Sequence, residues 1–315
     1  MRHTGTISAL LWGLLLALTG QAAGERTLRP VHDGVERLIW MVDGRTDKDK
    51  PAPLVLALHG YRNAERALKQ RETPERLGWK RLEDLARQDG FIVLFPHAYL
   101  GQWNLFDGLE NTTGPDGQTI DDQSFLLDLV AELVADGMAD PARLHITGIS
   151  DGAIMTYRLI CLQDTPFAAA APLIGTPSQA YLTDCAPTPP PALLHLHGTH
   201  DKVLPYEGWI FPNGREVSVP EVMDHWRRLH GCTGQTGRLL DDIDPDDGST
   251  VGVMVWTGCN GQDPVIRYKV IDGGHSVPAL DARQREDPDR RINRDIDTLG
   301  VVWQFFSRRS RVSPQ

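Results

Sequence analysis
Pro53-Leu54-Val55-Leu56-Ala57-Leu58 is apolar at every position. A strand with one wet face alternates apolar and polar side chains, so an unbroken run of this length reads as a strand covered on both faces. Strands of that kind need helices above and below, and the rest of the chain supplies them. Strands are expected over residues 37–42, 91–95, 143–147, 168–174, 192–196, 251–256 and 265–271, with helices over 77–87, 121–135, 152–162, 220–229 and 295–306. The helix over 121–135 is the clearest, because Phe125, Leu126, Leu129, Val130, Leu133 and Val134 repeat on one face, and Asp121 and Asp122 suit its positive N-terminus. Asp89-Gly90 reads as a C-terminal cap. The alternation implies an α/β fold, a mostly parallel central sheet with helices on both faces.

Arg2 and His3 precede an apolar run from Ile7 to Leu18, followed by Gly20 and Ala22 at the small positions. Residues 1–22 therefore read as a secretory signal peptide, too short to span a bilayer permanently, and 23–315 as a single catalytic domain. The expected location is secreted or periplasmic, with no stable membrane insertion after cleavage. An exported chain with four cysteines favours disulfides over metal ligation. Three pairings are possible; Cys161–Cys185 and Cys232–Cys259 are favoured because each closes a short local loop. With 32 basic against 42 acidic residues, the net charge is −10, and no basic block exists to engage nucleic acid.

Gly148-Ile149-Ser150-Asp151-Gly152 falls between an expected strand and an expected helix. A serine in a strand–turn–helix elbow projects its hydroxyl from the sheet, and flanking glycines remove side chains that would clash in the turn. The hydroxyl needs a base to take its proton, and the base needs an acid to orient it. Asp201, in His197-Gly198-Thr199-His200-Asp201, follows one strand; His275, in Gly273-Gly274-His275, follows another. Ser150, Asp201 and His275 are thus expected at three successive strand ends, as nucleophile, acid and base; Asp151 and Glu207 are further acids nearby. An anionic tetrahedral intermediate needs two N–H donors, expected from the backbone of Asp151 and of Tyr61, in the turn His59-Gly60-Tyr61-Arg62.

These segments resemble secreted esterases of the polyhydroxybutyrate depolymerase and feruloyl esterase group, with carbohydrate esterase family 1. The resemblance runs over about residues 35–306 and is carried by Leu58-His59-Gly60, the serine elbow, Leu196 to Asp201 with Val203-Leu204-Pro205-Tyr206, and Gly273-Gly274-His275. It also takes in Ile120-Asp121-Asp122, Asp140-Pro141, Tyr157-Arg158-Leu159 with Cys161, and Val302-Trp303-Gln304-Phe305-Phe306. It implies an α/β-hydrolase fold, the same triad, the same two disulfides and no cofactor. Trp103 and His59 match positions expected to line the substrate cleft. The chain departs from the group at Ala153, where a third glycine is usual, at Asp151, where an uncharged residue is common, and at Ser276-Val277-Pro278, where Trp-Pro is common. A charged insertion spans residues 281–291. The Asp151 charge is expected to disfavour acidic substrates.

Other motifs point to no site. The acidic stretch 242–248 fails the calcium-loop test, with Asp247 where glycine is needed and Val253 where the closing Glu belongs, and reads as a solvated loop. His195 and His197 share a strand face without a completing ligand, so no metal is expected. Asn111-Thr112-Thr113 is a glycosylation sequon. Nine residues follow Phe306, and no appended polymer-binding domain is expected. The expected function is an exported serine carboxylic-ester hydrolase on polyhydroxyalkanoate-type esters such as hydroxybutyrate oligomers, or on feruloyl or acetyl-xylan esters. The rivals are a prolyl oligopeptidase-like serine peptidase and a non-catalytic binding protein.

Overall fold
The computed structural model describes residues 24–61, 78–105, 113–211, 214–260, 264–282 and 287–311. The expected signal peptide, the Asn111 sequon and part of the 281–291 insertion lie outside them. In chain order the strands are β1 (Glu25–Leu28), β2 (Val31–His32), β3 (Val35–Glu36), β4 (Ile39–Asp43), β5 (Ala52–Leu58), β6 (Ile92–Pro96), β7 (Ala139–Ile149), β8 (Ala169–Leu173), β9 (Ala192–Gly198), β10 (Trp209–Phe211), β11 (Gly214–Glu216), β12 (Gly234–Leu239), β13 (Thr250–Thr257) and β14 (Val265–Ile271). The helices are α1 (Lys80–Asp89), α2 (Asp122–Ala135), α3 (Asp151–Ile160), α4 (Gln179–Thr183), α5 (Val219–Leu229) and α6 (Thr298–Phe306).

One sheet runs in the order β1-β4-β6-β5-β7-β8-β9-β14-β13-β12. Its centre, from β6 through β14, is parallel. Antiparallel strands close both edges. The apolar run of β5 serves two cores at once. Leu54, Leu56 and Leu58 pack with α2, α3 and α5, while Val55 and Ala57 pack with α1 and α6 on the opposite face. Both predicted disulfides form, Cys161–Cys185 and Cys232–Cys259.

Several termini differ from the sequence reading for local reasons. Asp121 caps α2, its Oδ1 accepting from Ser124 N at 3.0 Å. Asp122 instead turns inward to a fully buried ion pair with Arg37, and its Oδ2 accepts from Asn104 N at 2.8 Å. The last helix starts at Thr298 rather than 295, because Asp297 is the cap, accepting from Gly300 N at 3.0 Å. Asp295 accepts from Ile243 N at 2.8 Å and so ties down the acidic stretch. That stretch is not simply solvated: Asp247 is buried, its carboxylate accepting from Ser249 N at 2.8 Å and Arg294 N at 2.7 Å.

His145, in β7, is enclosed by the sheet and stacks on Phe306 with ring centroids 4.9 Å apart. Burial, reinforced by Arg143 and Arg309, pushes its pKa down to about 3. The unfolded imidazole titrates near 6.5. Below that pH the unfolded chain takes a proton that the fold refuses, so this part of the stability is lost as pH falls from 6.5 towards 3. His145→Phe keeps the ring and removes the proton site. Urea unfolding should show the variant losing about 2 kcal/mol less than the parent between pH 7 and pH 5; equal losses would refute the assignment.

Candidate active site
β7 ends at Ile149 and α3 begins at Asp151, so Ser150 alone makes the turn. Its backbone stands at φ 57°, ψ −120°. That region is unfavourable for a residue with a Cβ, at a cost of about 1–3 kcal/mol. Ser150 N donates to Leu173 O at 3.0 Å, and its carbonyl accepts from Ala153 N at 2.8 Å. The motif glycines are demanded by close approach. A Cβ on Gly148 would stand 2.0 Å from the Gly152 carbonyl oxygen, and one on Gly152 would stand 2.2 Å from that of Leu58. Ala153 fits beside the elbow because Gly175 lies opposite; a Cβ there would come within 2.9 Å of the Ala153 methyl.

Asp201 follows β9 and His275 follows β14, both at the sheet end that carries Ser150. The three residues meet in space. Ser150 Oγ lies 3.1 Å from His275 Nε2, and His275 Nδ1 lies 2.7 Å from Asp201 Oδ2. A carboxylate can only accept, so Nδ1 carries the proton and the Nε2 lone pair faces the serine hydroxyl. The strand ends are not successive in the sheet, because β8 separates β7 from β9. That gap is spanned by the reach of the Asp201 and His275 loops.

The turn after β5 packs directly on the serine. A Cβ on Gly60 would lie 3.0 Å from Ser150 Cβ. Tyr61 and Asp151, whose backbone N–H groups are the expected oxyanion donors, are the residues next in chain to Gly60 and Ser150. The expectation that Trp103 and His59 line the cleft is corrected: both side chains are closed to solvent. His59 Nε2 accepts from Ala98 N at 3.0 Å, its Nδ1 donates to Gly60 O at 2.6 Å, and Trp103 Nε1 donates to His59 O at 2.8 Å. They brace the turn from behind.

No family model matches the chain. Over 257 residues it is 26% identical to poly(3-hydroxyalkanoate) depolymerase C of Paucimonas lemoignei, covering 72% of this chain but only 55% of that protein. Over 305 residues it is 25% identical to probable feruloyl esterase C of Aspergillus terreus, covering 94% of this chain and 95% of the relative. Among solved structures, acetyl xylan esterase from Aspergillus awamori superposes over 90% of this chain and 98% of its own, with a TM-score of 0.53 and 15% identity. The chain has the α/β-hydrolase fold and is similar to esterases of this group.

Two residues of the site escape the sequence reading. His197 Nε2 donates to Leu204 O at 2.8 Å and stands 3.3 Å from Asp201 Oδ2, so it steadies Asp201 and its loop. Asp201 Oδ1 accepts from Val203 N and Leu204 N, each at 2.9 Å. Burial alone would raise the Asp201 pKa, but hydrogen bonds from His197 and His275 outweigh it and hold the carboxyl well below the usual carboxylate range. The second residue is Glu216, which is buried beside the site, whereas Glu207 is exposed. The strain at Ser150 can be read directly. Ser150→Ala retains a Cβ in the unfavourable region and Ser150→Gly does not, so thermal unfolding should find the glycine variant more stable than the alanine variant by about 1 kcal/mol. A less stable glycine variant would mean that the turn is unstrained.

Proposed function
We propose that this protein is an exported serine carboxylic-ester hydrolase acting through an acyl-enzyme on polyhydroxyalkanoate-type or related esters. The observation that carries the reading is the run of hydrogen bonds from Ser150 Oγ through His275 to Asp201, at 3.1 and 2.7 Å. His275 Nε2 takes the Ser150 proton as Oγ adds to the ester carbonyl. Asp201 stabilises the imidazolium, and the N–H groups of Tyr61 and Asp151 receive the oxyanion. Collapse of the tetrahedral adduct breaks the carbonyl–alkoxy bond, and His275 returns its proton to the departing alcohol. Water, deprotonated by His275, then adds to the acyl-serine; a second collapse releases the acid and restores Ser150. Every proton is accounted for by the side chains, and the chemistry calls for no cofactor.

Exposed Tyr61, Val203, Trp209, Ile210 and Leu280 lie on the segments around the triad and suit a partly apolar substrate. Full-length similarity to a probable feruloyl esterase favours, as a second reading, aromatic or acetyl esters of plant polysaccharides. The disulfides and the basic–apolar leader support export to the periplasm or medium.

The test is p-nitrophenyl butyrate hydrolysis by the mature chain beside Ser150→Ala and Asp201→Asn, followed by hydroxybutyrate oligomers against feruloyl and acetyl sugars. Each variant should lose on the order of 10³-fold or more in kcat while remaining folded. Activity surviving in folded Ser150→Ala would exclude Ser150 as nucleophile, and no hydrolysis by the parent chain would refute the esterase reading.

A further inference from the structure
We infer that Asp151 and Glu216 form a carboxyl pair beside the nucleophile that selects esters by charge, admitting neutral and cationic substrates and refusing those with a free carboxylate near the scissile bond. This rests on the ester-hydrolase reading above and narrows its substrate class.

Asp151 is fixed by the elbow, one residue beyond Ser150. Glu216 is brought there by tertiary structure. Its backbone bridges to Ser178, and Val217 N donates to Pro177 O at 3.2 Å. The same segment passes behind the serine, since a Cβ on Gly175 would lie 2.7 Å from the Ser150 carbonyl oxygen. On its other side Glu216 meets the loop from Asp201, where a Cβ on Gly208 would stand 2.6 Å from the Glu216 carbonyl oxygen. Glu216 thus stands between the segments that hold nucleophile and acid, and is only 8% exposed.

A carboxylate buried that far normally has a cation or several donors. Among the described residues neither the Glu216 nor the Asp151 side chain has a hydrogen-bond or ion-pair partner. The nearby cations are engaged elsewhere: Arg215 with Glu221 and Gln179, Lys202 with Asp289. The charged groups that act on the pair are Asp201 on Glu216 and His275 on Asp151. Burial, then the charges of Asp151 and Asp201, push the Glu216 pKa up to about 7. Burial pushes Asp151 up to about 6, with His275 opposing. Above pH 7 the wall beside the serine therefore carries unneutralised negative charge, which is shed as pH falls through 7 and then 6. Such a wall repels the carboxylate terminus of a short hydroxyalkanoate oligomer. It offers hydrogen-bond acceptors to hydroxyl-rich alcohols and attraction to cationic ones.

The test compares kcat/KM for three p-nitrophenyl esters of similar length: butyrate (neutral), hemisuccinate (anionic) and 4-(trimethylammonio)butyrate (cationic). Ratios are taken within one enzyme, so any general loss of activity cancels. At pH 8 the neutral ester should be preferred over the anionic one by about 100-fold, and the cationic ester should equal or exceed the neutral one. Glu216→Gln should narrow the neutral-to-anionic ratio by about 10-fold. In the parent enzyme the same ratio should narrow by about 10-fold between pH 8 and pH 5.5, where hemisuccinate is still ionised; this arm needs no variant to fold. Ratios that ignore both the substitution and the pH, with butyrate hydrolysis intact, would overturn the charge selection. Absence of butyrate hydrolysis would instead overturn the underlying esterase reading.

Discussion
The site depends on one backbone residue held in a region it would not choose. Ser150 must reverse the chain between a strand and a helix within a single peptide unit, and hydrogen bonds from its N–H and to its carbonyl hold it there. The turn also requires the carbonyls of Gly152 and Leu58 to approach closer than any Cβ allows. Glycine at 148 and 152 is therefore a packing requirement of the crossing between β5, β7 and α3, and only secondarily a matter of flexibility. Once that crossing exists, Gly60 is pressed against the serine, and the turn that follows β5 becomes part of the site without further design.

From the same constraint follows the division of labour among the acids. Asp201 and Glu216 are both buried, and burial pushes both towards the protonated form. Asp201 accepts two backbone N–H groups and lies against two imidazoles, so it stays ionised. Glu216 has no such donors and faces two other carboxyl groups, so its proton affinity rises. Residue type does not separate an orienting acid from a charge-selecting one; the donors supplied by the neighbouring loop do.

The central strands were legible because burial on both faces leaves no position for a polar residue, as in β5 and β6. Ser150, Asp201 and His275 were legible because each follows an expected strand in chain order, although β14, unlike β5, is only half-buried along Ile266 to Lys269. Legibility failed where hydrophobic burial is not the organising force. β12 is an edge strand exposed at most positions, so Gly234–Leu239 carries no apolar pattern at all. The onset of α6 depends on which of two aspartates caps it, and Asp295 is drawn away by the backbone of Ile243 and Asp244. Trp103 was expected in the cleft only from the resemblance to the esterase group. Only the His59 carbonyl that receives its indole N–H decides that it faces inward.

Glu216 marks the limit of such reading. It lies at the end of a polar hairpin strand, in a context where an acid normally meets water, and 65 residues separate it in sequence from Asp151. Its burial comes from Gly208 on one side and the 175–178 segment on the other, both of which were readable only as turns. His197 was closer to being found, since it lies on a buried strand four residues before the acid it steadies. Side chains that act through the chain's own turns leave local traces in sequence. Those assembled by loops meeting across the top of a sheet leave none, and in this fold the pair that would set substrate charge joins one residue of each kind.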